Sequence, residues 1–433
     1  MSTQAELLAR GVKMFETTQW QSRDKIVALQ YRKLAVLARH CEIYSPHFRA
    51  RLQAAGLSAE DLSSPGSLAR LPVLSRRDLQ RATDLFCTAI PQAHLPTYDT
   101  KTSGSTGEPV LVRRTALNQL DWLVTTMREH LWHERNSLGS ICVIRANVFE
   151  EKRLTNWGAP AALLRQTGPM LALPITTSID RQIALLREFR PETLLVYPSN
   201  LMALAQHCEV STIRIPSLKE ILTIGETLSP DTRAHVEAIF GANISDMYSS
   251  QEAGNIALQC PASGLYHVMA ENLILEILDE SGVPAREGES GRVVLTDLNN
   301  FATPLIRYDI GDYAEAGPPC SCGRGLPTLK RILGRERNLI RMPDGTRHWP
   351  LVGFHKFREI APIRQYQMIQ EDRNHIDLRL VVERALTQDE EANLVAHVQT
   401  SLGHPFALRM TYFTGKIPAG ANGKFEEFIC RAV

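Results

Sequence analysis

Apolar and polar positions change period several times along the chain, and each change marks an element. Residues 26–41 carry apolar side chains at three- and four-residue spacing with Arg and Lys between them, which predicts an amphipathic helix. The first hundred residues read mainly as helix, broken by turn signals at Ser63-Ser64-Pro65-Gly66 and around Pro72. Short apolar runs then alternate with helical segments. Residues 193–197 read as a buried strand, and Pro198-Ser199 opens a helix. Residues 220–224 read as a second strand, Pro230 starts a helix ending near Gly241, and residues 244–248 read as a third strand. This alternation predicts a mostly parallel sheet with helices on both faces.

Beyond residue 265 the runs shorten and Gly and Asp separate them, as in Leu273-Ile274-Leu275-Glu276-Ile277-Leu278. That pattern predicts antiparallel hairpins or a small barrel. The last hundred residues form another unit, with strands at 375–382 and 408–413 around a helix at 388–402. The expected fold class is α/β. A large N-terminal region would hold helix-covered, mostly parallel sheets and a small β-barrel-like part, followed by a small, mobile α+β C-terminal domain. The division is placed at 1–335 and 336–433.

A length of 433 residues exceeds one compact core and supports two or more domains. Forty-eight basic and 47 acidic side chains give a net charge of +1, which argues against a protein built around nucleic acid. No apolar run is long enough to cross a bilayer, so no membrane association is expected. The first ten residues lack a basic stretch followed by an apolar one, so a cytoplasmic location is the expectation. The eight cysteines are dispersed, unlike a small disulfide scaffold, and only Cys320 and Cys322 sit close together.

The segment Thr102-Ser103-Gly104-Ser105-Thr106-Gly107-Glu108-Pro109 carries the most chemistry. Glycines let backbone N–H groups close on an anion, and the hydroxyls add donors. A terminal Gly-Lys-Ser/Thr is absent, which disfavours a P-loop NTPase. A Gly/Ser/Thr run can also be a plain surface loop, so the rest of the chain decides. The loop resembles the phosphate-binding signature of the adenylate-forming superfamily of acyl- and aryl-CoA ligases, adenylation domains and luciferases. Gly225-Glu226-Thr227-Leu228-Ser229-Pro230 resembles that family's adenine-side motif, and Asp246-Met247-Tyr248-Ser249-Ser250-Gln251-Glu252 its aromatic-to-acidic motif. Arg307-Tyr308-Asp309-Ile310-Gly311-Asp312 resembles the ribose motif, Gly334-Arg335 the start of the hinge motif, and Asn422-Gly423-Lys424-Phe425 the C-terminal lysine motif. Tyr44-Ser45-Pro46-His47-Phe48-Arg49 and Leu71-Pro72-Val73-Leu74-Ser75 resemble entry segments of the phenylacetate–CoA ligase-like subgroup.

The resemblance implies ATP-dependent activation of a carboxylic acid through an acyl-adenylate, with release of pyrophosphate. It implies that residues 102–107 hold phosphates, that Glu252 orients Mg²⁺, and that Gly225, Glu226 and Tyr248 line the adenine side. Asp312 would take the ribose hydroxyls, Arg335 would reach the nucleotide, and Lys424 would be the catalytic lysine. The small domain would rotate about Arg337-Asn338. Three positions depart from the usual pattern: Asn338 replaces the hinge Asp, Gln251 a Thr or Ser, and Ser249 a Gly. Coenzyme A is the expected acceptor; a carrier-protein thiol, an amine, or a non-catalytic binding protein of the same fold are the alternatives. The acyl pocket is expected from residues 145–157, 197–202 and the Tyr248 region, with a small aromatic or aryl-acetic acid as substrate; Phe149 and Trp157 are candidate walls of an aromatic slot, core packing being the more common use of such rings. Cys260, His267, Cys320 and Cys322 offer three thiols and an imidazole for a structural Zn²⁺. A homodimer is left open.

Overall fold

The computed structural model describes residues 3–82, 84–101, 110–335, 338–348, 354–418 and 425–432. The expected phosphate loop at 102–107, hinge residue Arg337 and Lys424 lie outside the described residues.

Helices α1 (Gln4–Thr18), α2 (Arg23–Tyr44), α3 (Pro46–Ala54) and α4 (Arg76–Arg81) open the chain. Strands β1 (Thr97–Lys101) and β2 (Leu111–Thr115) pair antiparallel and lead into α5 (Ala116–Trp132). Then come β3 (Ile141–Arg145), β4 (Lys152–Leu154), α6 (Ala161–Leu164), β5 (Met170–Pro174), α7 (Ile179–Phe189), β6 (Thr193–Val196), α8 (Pro198–Val210), β7 (Glu220–Ile224), α9 (Pro230–Phe240) and β8 (Asn243–Ser250). The hairpin strands are β9 (Gly254–Gln259), β10 (Tyr266–Val268), β11 (Leu273–Leu278), β12 (Ser290–Asp297), β13 (Tyr308–Ala316) and β14 (Thr328–Arg335). A short pair, β15 (Ile340–Arg341) and β16 (Arg347–His348), precedes α10 (Phe354–Ile360). The chain closes with β17 (Ile363–Gln370), β18 (His375–Val382), α11 (Gln388–Leu402), β19 (Ala407–Tyr412) and β20 (Phe428–Cys430).

The middle strands form one twelve-stranded sheet in the order β11-β12-β13-β14-β10-β9-β8-β7-β6-β3-β5-β4. β5, β3, β6, β7 and β8 run parallel, and the pairing turns antiparallel from β8 to β11. The parallel strands are apolar on both faces because helices cover both. On one face Cys142, Ile144, Leu194, Val196 and Ile221 pack with residues of α7 and α8. On the other, Ile141 packs with Leu123, Val124 and Met127 of α5 and with Leu8 and Phe15 of α1. Strands β19-β18-β17-β20 form a second sheet with its own core, including Leu378, Leu380, Leu394 and Val398.

Local chemistry sets the ends of the elements. Ser229 accepts the N–H of Thr232 at the start of α9, Pro230 fills the first helical turn, and Gly241 closes the helix at φ +64°. Thr387 and Glu390 form a capping box at the start of α11. The N-terminal segment is docked to the hairpin region by backbone bonds. Leu74 donates to the carbonyl of Arg307 at 2.7 Å and accepts the N–H of Asp309 at 2.9 Å. Those two bonds seat α4 beside β13, and this seating matters for the site.

Candidate functional site

Asp312 and Arg335 are cross-strand partners on β13 and β14. Arg335 Nε lies 2.9 Å from Asp312 Oδ1, and the hydroxyl of Tyr248 donates to Asp312 Oδ2 at 2.7 Å. Three motifs far apart in sequence thus meet at one buried carboxylate. Asp312 is 7% exposed. The Asp312 carboxylate holds the Arg335 guanidinium above its usual range. Burial, and then the same carboxylate, pushes the Tyr248 phenol well above its usual value, so it stays a donor.

Glu252 sits in the β8–β9 turn, 3% exposed, with Arg76 Nη1 3.3 Å from its Oε1. Arg76 comes from α4, held in place by the Leu74 bonds to β13. Beside this pair lies Tyr308, a fully buried ring. Burial, with the charge of Glu252 adding, raises the Tyr308 phenol. Arg76 is the site residue that sequence reasoning missed. It directly follows the Leu71–Ser75 segment, and a second Arg next to it gave the only signal.

The other residues of the ribose motif are scaffold. Arg307 holds a positive φ of 57°. Its guanidinium meets Glu276 and donates to the carbonyls of Ala69 and Leu71, which over-determine that backbone. Asp309 accepts the N–H of Gly311 at 2.9 Å, with Gly311 in the left-handed region, and pairs with Arg292. Gly225 also takes a positive φ, 75°. Glu226 accepts the N–H of Ser199, so it caps α8.

At the expected hinge, Asn338 uses both ends of its amide. Its Oδ1 accepts the N–H of Arg335 at 3.0 Å, while its Nδ2 donates to the carbonyl of Phe428 and to the Glu426 carboxylate. An aspartate lacks those donors and would face Glu426 with like charge. Further along this segment Tyr366 donates to Glu427 at 3.0 Å. Burial raises the Glu427 carboxyl, and the charges of Asp231 and Glu226 add to the rise. The C-terminal segment therefore lies against the β7–α9 loop.

The expected aromatic slot is corrected. Phe149 is 90% exposed. Trp157 packs in the α1–α5 core, its indole N–H donating to the Gly139 carbonyl at 3.0 Å. Both rings follow their surroundings: one sits on an open loop, the other under two helices.

The four metal-ligating candidates do converge. Cys260 directly follows β9, His267 lies in β10, and Cys320 and Cys322 stand on the β13–β14 turn. Their ligand atoms all lie within 4.8 Å of one another. Cys260 and Cys320 sulfurs are 3.8 Å apart, and Cys322 Sγ is 3.3 Å from His267 Nε2. A tetrahedron with Zn–S of about 2.3 Å has an S–S edge of about 3.8 Å, so the donor set fits that ion. Burial, with Arg324 adding, pushes His267 down to about 4 and keeps the ring neutral, as a ligand must be. Arg324 stacks on Trp20 and Trp132, and Trp132 meets His267 edge-on at 5.4 Å. The turn is thereby joined to the N-terminal helices. The backbone N–H of Gly325 donates to the Gln19 carbonyl, and a side chain there would strike the Gln21 carbonyl at 1.8 Å.

Comparisons with known proteins agree with this geometry. The model of the AMP-binding enzyme family matches residues 78–302, and the CapK C-terminal domain model matches residues 352–431. The phenylacetate–coenzyme A ligase of Aromatoleum evansii is 26% identical over 327 residues, which are 74% of this chain and 72% of that one. The Escherichia coli K12 phenylacetate–coenzyme A ligase is 23% identical over 367 residues, 82% of each chain. Protein CapK of Staphylococcus aureus is 22% identical over 378 residues, 82% of this chain and 78% of that one. Among solved structures, 2-hydroxyisobutyryl-CoA ligase in its postadenylation state matches with a TM-score of 0.75 at 19% identity, covering 93% of this chain and 88% of that one. The same ligase in its thioesterification state gives 0.59 over similar coverage. The family match, the relatives and the meeting of three motifs at Asp312 together show that the chain belongs to the AMP-binding enzyme family, as an AMP-forming carboxylate ligase of the phenylacetate–CoA ligase-like kind.

Proposed function

We propose that the chain activates a small carboxylic acid as its adenylate, with release of pyrophosphate, and then passes the acyl group to the thiol of coenzyme A. The observation that carries this reading is the buried Tyr248–Asp312–Arg335 cluster with Glu252 and Arg76 beside it. An acid and ATP repel each other, so a site must neutralise the growing charge and hold the attacking oxygen in line with phosphorus. Asp312 would accept the ribose hydroxyls, for which an ionised carboxylate suits. Glu252 would hold Mg²⁺, which commonly binds one or two carboxylates plus phosphate oxygens. Arg76, now paired with Glu252, would follow the phosphates as that carboxylate turns to the cation. Residues 102–107 would wrap the phosphates and Lys424 would bridge acid and α-phosphate.

Residues 336–433 act as the mobile domain, and the Asn338 bonds to Glu426 and Phe428 are ones that rotation must break. Resemblance to phenylacetate–coenzyme A ligases supports a small aromatic or aryl-acetic acid. Cys260, His267, Cys320 and Cys322 hold a structural Zn²⁺. The deciding experiment follows pyrophosphate release over a carboxylate panel with ATP and Mg²⁺, without and then with coenzyme A. Acid-dependent release that coenzyme A accelerates is expected. Release indifferent to coenzyme A would move the acceptor to a carrier-protein thiol or an amine, and silence over a broad panel would sink the reading.

Asp312→Ala should weaken ATP and AMP binding by about ten- to a hundredfold, since it removes a charge-assisted acceptor and leaves Arg335 unpaired. Titration calorimetry on both proteins measures this. Unchanged nucleotide affinity would remove Asp312 from the ribose site.

A further inference from the structure

The carboxyl ends of β3, β6, β7 and β8 lie on one rim, because these strands run parallel. Open α/β sheets bind ligands at such rims. β3 ends at Arg145. Cys142 and Ile144 face α7 and α8, so Arg145 shares the opposite face with Ile141 and Val143. Tyr197, just past β6, is on that face too: it packs with Leu195 near Leu222, Ile224 and Met247. The Tyr197 oxygen accepts the N–H of Ala146 at 3.3 Å, which holds the phenol beside the end of β3. Its own proton meets no acceptor among the described residues.

Among the described residues, Arg114, Arg145 and Arg292 have a buried Nε without a hydrogen-bond partner. In two of them the rest of the guanidinium is engaged: Arg114 donates to the Asn118 carbonyl, and Arg292 meets Asp309. Arg145 has neither a carboxylate nor a hydrogen-bond acceptor among the described residues. A guanidinium drawn partly out of water without a counter-charge is costly until an anion completes it.

We propose that Arg145, together with the Tyr197 hydroxyl, recognises a second anionic group on the acid, so that the preferred substrate is a dicarboxylate activated at the carboxylate remote from Arg145. The planar fork of arginine matches a carboxylate with two parallel N–H donors, and a phenol adds a third. The spacing fits a small molecule. Strands lie about 4.8 Å apart, so the ends of β3 and β7 are about 10 Å apart, within reach of one ring or a six-carbon chain plus the arginine side chain. This subsite deepens the adenylation reading above and rests on it.

The test compares matched acids: 4-carboxyphenylacetate against phenylacetate, and adipate against hexanoate. Pyrophosphate release is measured for wild type, Arg145→Met and Arg145→Lys. Wild type is expected to prefer the dicarboxylate in at least one pair by kcat/KM. Arg145→Met should cut that preference about ten- to a hundredfold, the loss expected for one charge-assisted contact, and Arg145→Lys, which keeps the charge but loses the fork, should fall between the two. The readout is a ratio of two acids on one protein, which partial unfolding does not move. Adenylation without a preference for the dicarboxylate, or with a preference that Arg145→Met leaves unchanged, overturns the subsite while the adenylation reading stands. If no acid releases pyrophosphate, the adenylation reading fails, and calorimetry with the same four acids decides the subsite. Dicarboxylate binding that needs Arg145 then supports it, and binding indifferent to Arg145, or none, overturns it.

Discussion

Replacing Lys424 by alanine is expected to abolish most adenylate formation, by about two to three orders of magnitude, while ATP binding stays largely intact. The reason is where charge grows. The acid oxygen and the α-phosphate are both anionic, and they approach only in the reacting state. A compact ammonium between them stabilises that state far more than either bound reactant. The segment that follows Phe425 brings the buried Glu427 toward Asp231 and Glu226 of the N-terminal region, whose charges raise its carboxyl. Pyrophosphate release in single turnovers, beside ATP titration calorimetry, measures both halves of the prediction. Adenylation at the wild-type rate in the variant would sink the assignment.

Removing metal from the Cys260, His267, Cys320 and Cys322 cluster is expected to lower stability by several kcal/mol, because a structural ion's binding energy is folding energy. The ligands come from just past β9, from β10 and from the β13–β14 turn, and without an ion nothing covalent joins them. The loss should spread to the N-terminus, since Arg324 is stacked between Trp20 and Trp132. Cys320→Ser should therefore lose metal and melting temperature together, and the tryptophan fluorescence should shift with them. Metal analysis and calorimetry of both proteins test this. Metal loss with unchanged melting would refute a structural role.

Much of the fold was legible from local rules. The strand at Glu220–Ile224, the helix from Pro230 to its Gly241 cap, and the helix at Gln388–Leu402 follow from periodicity and capping chemistry. The convergence of Cys260, His267, Cys320 and Cys322 was legible because three thiols and an imidazole are a recognisable ligand set. Arg76 was not legible, since a charged residue after a turn reads as surface. Only the Leu74–Arg307 and Asp309–Leu74 backbone bonds bring it to Glu252. Trp157 packs in the core, the more common use of such a ring, whereas the exposure of Phe149 was not legible, because aromatic character does not reveal which side of a loop faces water. Burial is decided by neighbours distant in sequence.

By itself the sequence determined the family, because several short motifs resembling it stand in its specific order along the chain. Tertiary structure alone decided which carboxylates are buried and with whom. It gave Asp312 to Tyr248 and Arg335, Glu252 to Arg76, and left Arg145 without a counter-charge among the described residues at the strand rim. Such pairings depend on Coulomb forces and desolvation, which act through distances in space that no spacing along a chain encodes.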